Sequence, residues 1–336
     1  MKVAPASIND IARALGISAS TVSRALSHHP DISADTRSKV LEYAQAIKYR
    51  PNALALGLKH QRSNTIGVVI PEIIHHFFST IISGIEEVAY SKGLRVMICQ
   101  SNEDYNREII NIMALIDHRV DGLLVSQSKA TTDSSHFKEA HESGVPIVFF
   151  DRFPADMETD IVVTDDYLGG KMVTKHLIDK GCRNILHLTT SENVSVGVER
   201  HKGYADALKE AGIEYKNELV MVCDTLQKVI DSKDMLVSLA PGIDGLFAVN
   251  DFTAIALMNI LQESGYDIPG RIKVAGFGDD PIASIVRPKL TTVEQKGFEM
   301  GKMAIDVLID RIENPDSGIL PRTYKFQGSV RVRESS

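Results

Sequence analysis

Residues 7 to 26, Ser-Ile-Asn-Asp-Ile-Ala-Arg-Ala-Leu-Gly-Ile-Ser-Ala-Ser-Thr-Val-Ser-Arg-Ala-Leu, constrain this chain more than any other stretch. Two short segments flank Gly16, a residue that tolerates the positive φ of a tight turn. Ser7 and Ser18 each stand where an N-cap side chain accepts an otherwise unpaired backbone N–H. Ala12 is small where two helices must cross closely, and Ile11, Leu15, Ile17, Val22, Ala25 and Leu26 supply an apolar side. The spacing predicts a helix-turn-helix whose second helix runs from about Ala19 to Leu26. A third helix beginning at Ser33, with Val40, Leu41, Ala44 and Ile47 at helical spacing, closes a small core.

Such a unit needs positive charge to meet phosphates, yet the 336-residue chain is formally −7. The average hides an asymmetry. Residues 1–62 carry nine Lys or Arg against four Asp or Glu, a surplus of five, which leaves −12 on the remainder. A basic head on an acidic body directs only the head to nucleic acid. Cys99, Cys182 and Cys223 are odd in number, widely separated and without metal or disulfide spacing, so a reducing cytoplasm is the expected compartment. Asn9, Asp10 and Arg13 interrupt any signal-peptide run, and no stretch approaches the roughly 20 apolar residues of a membrane span.

After Pro51 the residues Asn52 to Lys59 allow about two turns of helix, marginal on their own in water. From Thr65 the rhythm changes. Short apolar runs (66–70, 95–98, 122–125, 145–150) alternate with helical segments over 78–91, 105–117 and 134–142. After residue 160 the rhythm restarts, with helices over 169–179, 199–211, 227–239 and 252–264 between the runs 185–188, 219–222, 245–249 and 272–277. A helix over 294–313 and a strand over 323–328 finish the chain. Strands without polar alternation, separated by helices, predict parallel sheets covered on both faces. The expected fold is therefore α/β: a three-helix head on two doubly wound parallel sheets. The expected domains are a head at 1–50, a hinge and linker at 51–63, one lobe from 64–162 plus 292–322, and a second from 163–291 plus 323–336. Two such lobes form a cleft at the carboxyl ends of their strands, where small ligands bind open α/β sheets.

These residues together resemble the lactose/galactose-repressor family of bacterial transcription regulators over nearly the whole chain. In the head the resemblance lies in Ile8-Asn-Asp-Ile-Ala, Thr21-Val-Ser-Arg-Ala-Leu, Thr36-Arg37, Tyr49 and Pro51-Asn52. In the body it lies in Ile66-Gly-Val-Val-Ile-Pro, Phe77-Phe78, Asp121-Gly122, Phe150-Asp151-Arg152, Asp165, Arg200 with Gly203-Tyr204, Asn250-Asp251, Gly276-Phe277 and Leu290-Thr-Thr-Val-Glu-Gln. The resemblance implies a body like the periplasmic binding proteins, a pseudo-palindromic operator bound by a homodimer, and control by a small metabolite. A sugar or sugar derivative is the expected effector. The chain carries no leucine heptad tail after residue 328, so a dimer is expected.

The helix N-terminus enters the major groove first, making Ala19 and Ser20 the expected specificity positions. Ser23 and Arg24 also face outward, and Arg24 can bond guanine bidentately or hold a phosphate. Ser18 and Thr21 can donate to phosphates. Tyr49 and Asn52 fall in the family's pattern. Residues 52–59 resemble a hinge helix that folds on DNA, with Leu58 as a minor-groove wedge and Lys59 beside it. By the same resemblance, Asp151, Arg200, Asn250 and Gln295 are effector contacts, His76 and Phe77 lie where an aromatic stacks on the ligand, and Arg152 and Asp165 are nearby candidates. Relatives often carry an acid directly after Gly-Phe; here that slot is Gly278, and Asp279 comes next. Asp accepts from hydroxyls and Arg donates in a fork, chemistry suited to a polyhydroxylated ligand. Arg152 and Arg200 tilt the expectation toward an anionic or highly hydroxylated sugar.

Each candidate also has a purely structural use: Asn250 and Asp251, for example, suit the cap of the following helix. The adjacent pairs His28-His29 and His75-His76 lack metal-ligand spacing, and Gly276-Phe-Gly lacks the third glycine of a dinucleotide fingerprint. No nucleophile elbow, phosphate loop or paired catalytic acids stand out, so no cofactor and no enzymatic activity are expected. Three alternatives stay open: the same DNA role under a phosphorylated carrier protein, an exported solute-binding protein, and a sugar- or nucleotide-modifying enzyme.

Overall fold

The computed structural model describes residues 6–49, 62–315, 318 and 320–336. The expected hinge helix, with Asn52, Leu58 and Lys59, lies outside the described residues. Two units are present, Met1–Ser63 and Asn64–Ser336.

In the first unit, helices α1 (Ile8–Leu15), α2 (Ala19–Leu26) and α3 (Ala34–Ala46) each start at a serine cap, Ser7, Ser18 and Ser33. Ser7 and Asp10 form a reciprocal capping box, the Ser7 hydroxyl taking the Asp10 N–H and the Asp10 carboxylate taking the Ser7 N–H at 2.9 Å. Gly16 ends α1 at φ 66°, the left-handed turn. Ile11, Val22, Ala25 and Val40 are wholly buried, with Ala44 beside them. Burying Ile11, Val22 and Val40 contributes about 1.5–3 kcal/mol each.

The second unit is two sheets. β1 (Thr65–Ile70), β2 (Arg95–Gln100), β3 (Gly122–Val125), β4 (Ile147–Phe150) and β5 (Asp160–Thr164) form the first. Its order is β11-β5-β4-β3-β1-β2, where β11 is Thr323–Phe326, and every pair is parallel. Successive strand residues point to opposite faces. Ile66, Val68 and Ile70 of β1, Val148 and Phe150 of β4 pack under the helices His76–Ser91 and Gly297–Glu313. Val69, Ile147 and Phe149 face the helices Tyr105–Asp117 and Ser135–Glu142 on the other side. With both faces covered, the inner strands β1, β3 and β4 are continuous apolar runs.

β6 (Ile185–Thr189), β7 (Val220–Val222), β8 (Gly245–Ala248) and β9 (Lys273–Ala275) form the second sheet, order β7-β6-β8-β9, again parallel. The helices Asp166–Asp179 and Ser195–Glu210 cover one face. The helices Leu226–Asp231, Lys233–Leu239 and Asp251–Glu263 cover the other. The single helix expected over 227–239 is thus two, broken at Ser232.

The domain boundaries expected near the C-terminus need correction. β10 (Thr292–Glu294) pairs antiparallel with β12 (Ser329–Arg331), and its Val293 lies in the second lobe's core with Phe277. The helix therefore starts at Gly297, not 294. β11, expected in the second lobe, pairs with β5 of the first, where Tyr324 and Phe326 pack on the first lobe's core. The strand Asp160–Thr164 has no counterpart among the runs read from the sequence. The chain consequently passes between the lobes three times, after β5, after β10 and after β11.

Candidate functional site

The head presents its second helix by its N-terminus. The Ser18 hydroxyl accepts the Thr21 N–H at 3.1 Å and lies 2.8 Å from both the Ser20 and Thr21 hydroxyls. Three hydroxyls thus gather at the positive end of a helix dipole, a disposition suited to phosphate. Ser20 and Arg24 are exposed; Ala19 and Ser23 are half-buried. Tyr49 packs against the head core, and burial pushes its phenol upward.

In the body, the candidates sit at strand ends and on the passages between lobes. Asp151 follows β4, is 5% exposed and has φ 61°; Glu103 follows β2 at φ 55°, and Asp279 follows β9 at φ 53°. Non-glycine residues in the left-handed region carry strain that a packed site must hold. Burial pushes the Asp151 carboxyl up, against the pull of Arg152 and Arg200. Arg152 donates to Glu103 Oε1 at 2.8 Å, and its Nε lies 3.6 Å from Asp151. Glu103 Oε2 accepts the Lys129 N–H at 2.7 Å. Burial works against the Glu103 charge, but Arg152 and that N–H outweigh it and hold the carboxyl below its ordinary value.

Among the described residues, Arg200 is the most enclosed arginine or lysine. Its Nε donates to Asp166 Oδ1 at 2.8 Å, its Nη2 lies 2.7 Å from the same oxygen, and its Nη1 donates to the Val249 carbonyl at 2.6 Å. The guanidinium lies 3.7 Å from the centre of the Phe277 ring. Small residues make this possible. A Cβ on Gly203 would stand 2.2 Å from the Tyr167 carbonyl oxygen, and one on Gly170 would stand 2.4 Å from that of Arg200. The helices Asp166–Asp179 and Ser195–Glu210 therefore cross backbone to backbone, bringing Arg200 onto Asp166. Burial pushes Asp166 up to about 6 even with Arg200 beside it.

Asn250 is a cap and a strut: its Oδ1 accepts the Thr253 N–H at 2.9 Å and its Nδ2 donates to the Asp224 carbonyl at 2.9 Å. Asp165 likewise caps its helix, accepting the Leu168 N–H at 3.0 Å. Gln295 donates to the Thr164 hydroxyl at 3.1 Å, tying two interlobe passages together. Asp279 pairs with Arg333 at 2.5 Å. His76 is the exposed first residue of its helix, and Phe77 is half-buried against Phe78, with ring centres 5.5 Å apart.

Sequence reasoning passed over Glu103, Lys129, Asp166, Asn193 and Asp224. Lys129 donates to Asp224 Oδ2 at 2.7 Å, and the Lys129 carbonyl accepts from Asn193 Nδ2 at 2.6 Å. Burial opposes the Asp224 charge, but Lys129 and Lys228 outweigh it and keep the carboxyl low. For four of them the signal is position: Glu103, Lys129, Asn193 and Asp224 lie in the loops just after β2, β3, β6 and β7, at the strand ends where ligands bind open α/β sheets. Asp251, buried behind Asn250, accepts from the Thr292 hydroxyl at 2.5 Å and the Asp280 N–H at 2.8 Å. Burial still pushes it up to about 7.

Comparison with known proteins bears on both units. Residues 7–52 match the family described as bacterial regulatory proteins, lacI family. Residues 63–328 match the periplasmic binding proteins and sugar binding domain of the LacI family. The chain is 30% identical over 334 residues to the HTH-type transcriptional repressor PurR of Vibrio vulnificus, covering 98% of each chain. It is 30% identical over 334 residues to the ribose operon repressor of Halalkalibacterium halodurans, covering 98% of this chain and 96% of the relative. Among solved structures it is similar to a complex of the transcriptional regulator CelR with cellobiose, with TM-score 0.74, 26% identity, and 98% and 100% of the two chains covered.

Proposed function

The chain belongs to the LacI family of bacterial regulatory proteins, and from that premise we propose that it is an operator-binding transcriptional repressor controlled by a neutral, hydroxyl-rich metabolite. The pairing of the cleft's cations carries the choice of effector. Arg152 is held by Glu103 and Asp151, Arg200 by Asp166, and Lys129 and Lys228 by Asp224. An anionic ligand would meet cations whose charge is already largely neutralised by these carboxylates. A sugar can instead donate hydroxyls to Asp151 and accept the remaining guanidinium N–H groups while the pairs stay intact. This favours the hydroxylated over the anionic side of the sequence expectation.

On the DNA side, Ser18, Ser20 and Thr21 anchor phosphate at the helix N-terminus and Arg24 reads a base edge, one head per half-site. Ala19 and Ser23 border that surface. Tyr49 serves mainly to pack the head core. Asn52, Leu58 and Lys59 complete the proposal as the DNA-folded hinge. Dimerisation has a candidate surface: β2 and β7 each lie at one edge of their sheet. Ile98, Tyr90, Val222, Leu226 and Ile230 stand exposed near those edges. A second copy covers such edges as well as apolar surface.

The test is binding of the purified full-length protein to pseudo-palindromic operators, alone and with a panel of neutral sugars, sugar acids and sugar phosphates screened by thermal shift. Preference for a palindrome over random DNA, modulated by a neutral sugar, is expected. Stabilisation by sugar phosphates alone would overturn the effector reading, and absence of any palindrome preference would overturn the whole.

A further inference from the structure

Lys129 is built to reach across the cleft. It lies on the loop after β3, and that loop is fastened to its own lobe at three points. Glu108, wholly buried, takes the Ser128 N–H at 2.7 Å and the Thr131 hydroxyl at 2.5 Å, while Glu103 takes the Lys129 N–H at 2.7 Å. His136 backs Glu108 at 3.1 Å. A loop that only closed off a strand would not need two carboxylates on its backbone and hydroxyls. So fixed, it delivers two groups to the second lobe: the ammonium to Asp224 at 2.7 Å and the carbonyl to Asn193 at 2.6 Å. The receiving side is fixed too. Asp224 is 4% exposed, its second oxygen takes Lys228 at 2.7 Å, and its carbonyl takes Asn250.

We propose that the Lys129–Asp224 pair, with Asn193 on the Lys129 carbonyl, is a latch between the lobes that sets how far the effector-free body is already closed. The inference rests on reading the cleft as the effector site. The latch and the site share one carboxylate: Glu103 holds Arg152 by one oxygen and the Lys129 backbone by the other. Closing the lobes brings Lys129 to Asp224, and the same movement completes the surroundings of Arg152 and Asn250. A protein already closed for part of the time asks less of its effector, because apparent affinity scales with the populated competent fraction. Lys129 is thus a positioning residue.

The test needs no effector, so its failure is distinct from failure of the sugar screen. Hydrogen exchange and small-angle scattering are measured on the full chain for wild type, Lys129→Met, Lys129→Arg, Asp224→Asn and the Met/Asn double variant. Lys129→Met is expected to raise exchange about tenfold in residues 126–131 and 190–195, within the range of typical intersite coupling, and to enlarge the radius of gyration. Asp224→Asn does the same, the double variant goes no further, and Lys129→Arg restores the wild-type behaviour. Should Asp224→Asn disturb folding through Lys228, Lys129→Met still decides, since it leaves that pair intact. Wild-type exchange and dimensions in Lys129→Met, or additive effects of the two single substitutions, would overturn the latch.

Discussion

Replacing Arg200 by alanine separates two uses of one residue. Sequence resemblance proposes Arg200 as an effector contact; its surroundings make it a brace for the second lobe. Three of its nitrogens are engaged within 2.8 Å, two by Asp166 and one by the Val249 carbonyl. Truncation leaves the Asp166 carboxylate buried without its counter-charge, a change that costs about 3–5 kcal/mol, with loss of the Phe277 stacking part of that figure. A deficit of that size lowers the melting temperature by roughly 10 °C for a body of this length. The dependence on pH follows from Asp166, raised from 3.8 to about 6. Below 3.8 its carboxyl is protonated in folded and unfolded chains alike, and its contribution to stability is fully present. As pH rises through about 6 the folded protein must hold a disfavoured carboxylate, and roughly 3 kcal/mol is lost from that group. Without Arg200 the folded value climbs further, so the variant's deficit is smallest at low pH and grows above about 6. The chain has no tryptophan, so unfolding is followed by circular dichroism in urea. An Arg200→Met, Asp166→Asn double variant should recover about half of the loss, because no buried charge is stranded. If Arg200→Ala stays within about 1 kcal/mol of wild type at neutral pH while sugar binding vanishes, the brace is refuted and Arg200 is a ligand contact alone.

Asp251→Asn should stabilise the protein more above pH 7 than below it. The carboxyl is raised to about 7, so its contribution is present below 3.8 and lost as pH rises through about 7, a gross effect of about 4 kcal/mol that the amide removes. The amide can take the Asp280 N–H and donate to Thr292; equal melting-temperature changes on both sides of pH 7 would contradict this. Gly203→Ala should cost about 2–3 kcal/mol in urea unfolding, because its Cβ would meet backbone at 2.2 Å, and a neutral result would mean the two helices can separate freely. Arg24→Ala should weaken specific operator binding by about 1–3 kcal/mol and flatten preference at one base pair per half-site, read by competition with systematically altered operators. An unchanged preference would move Arg24 to the phosphate backbone.

The elements of this protein were largely legible in its residues because their causes are local. Serine caps at Ser7, Ser18 and Ser33, the left-handed Gly16 and the unbroken apolar runs of β1, β3 and β4 leave the backbone little choice. The head core, from Ile11 to Ala44, could be read the same way, since three adjacent helices meet through near neighbours. Partnership over distance could not. Thr323–Phe326 carries two aromatic residues at alternate positions and suits either sheet; only its register against β5 assigns it to the first. Arg200 meets Asp166 across 34 residues, and Lys129 meets Asp224 across 95. Neither pair has a spacing or pattern that distinguishes it from ordinary surface charges. Helix crossing at Gly170 and Gly203, and closure of one lobe on the other, decide which carboxylate each cation finds. The sequence therefore supplied the charged residues, and the tertiary arrangement decided which of them neutralise one another.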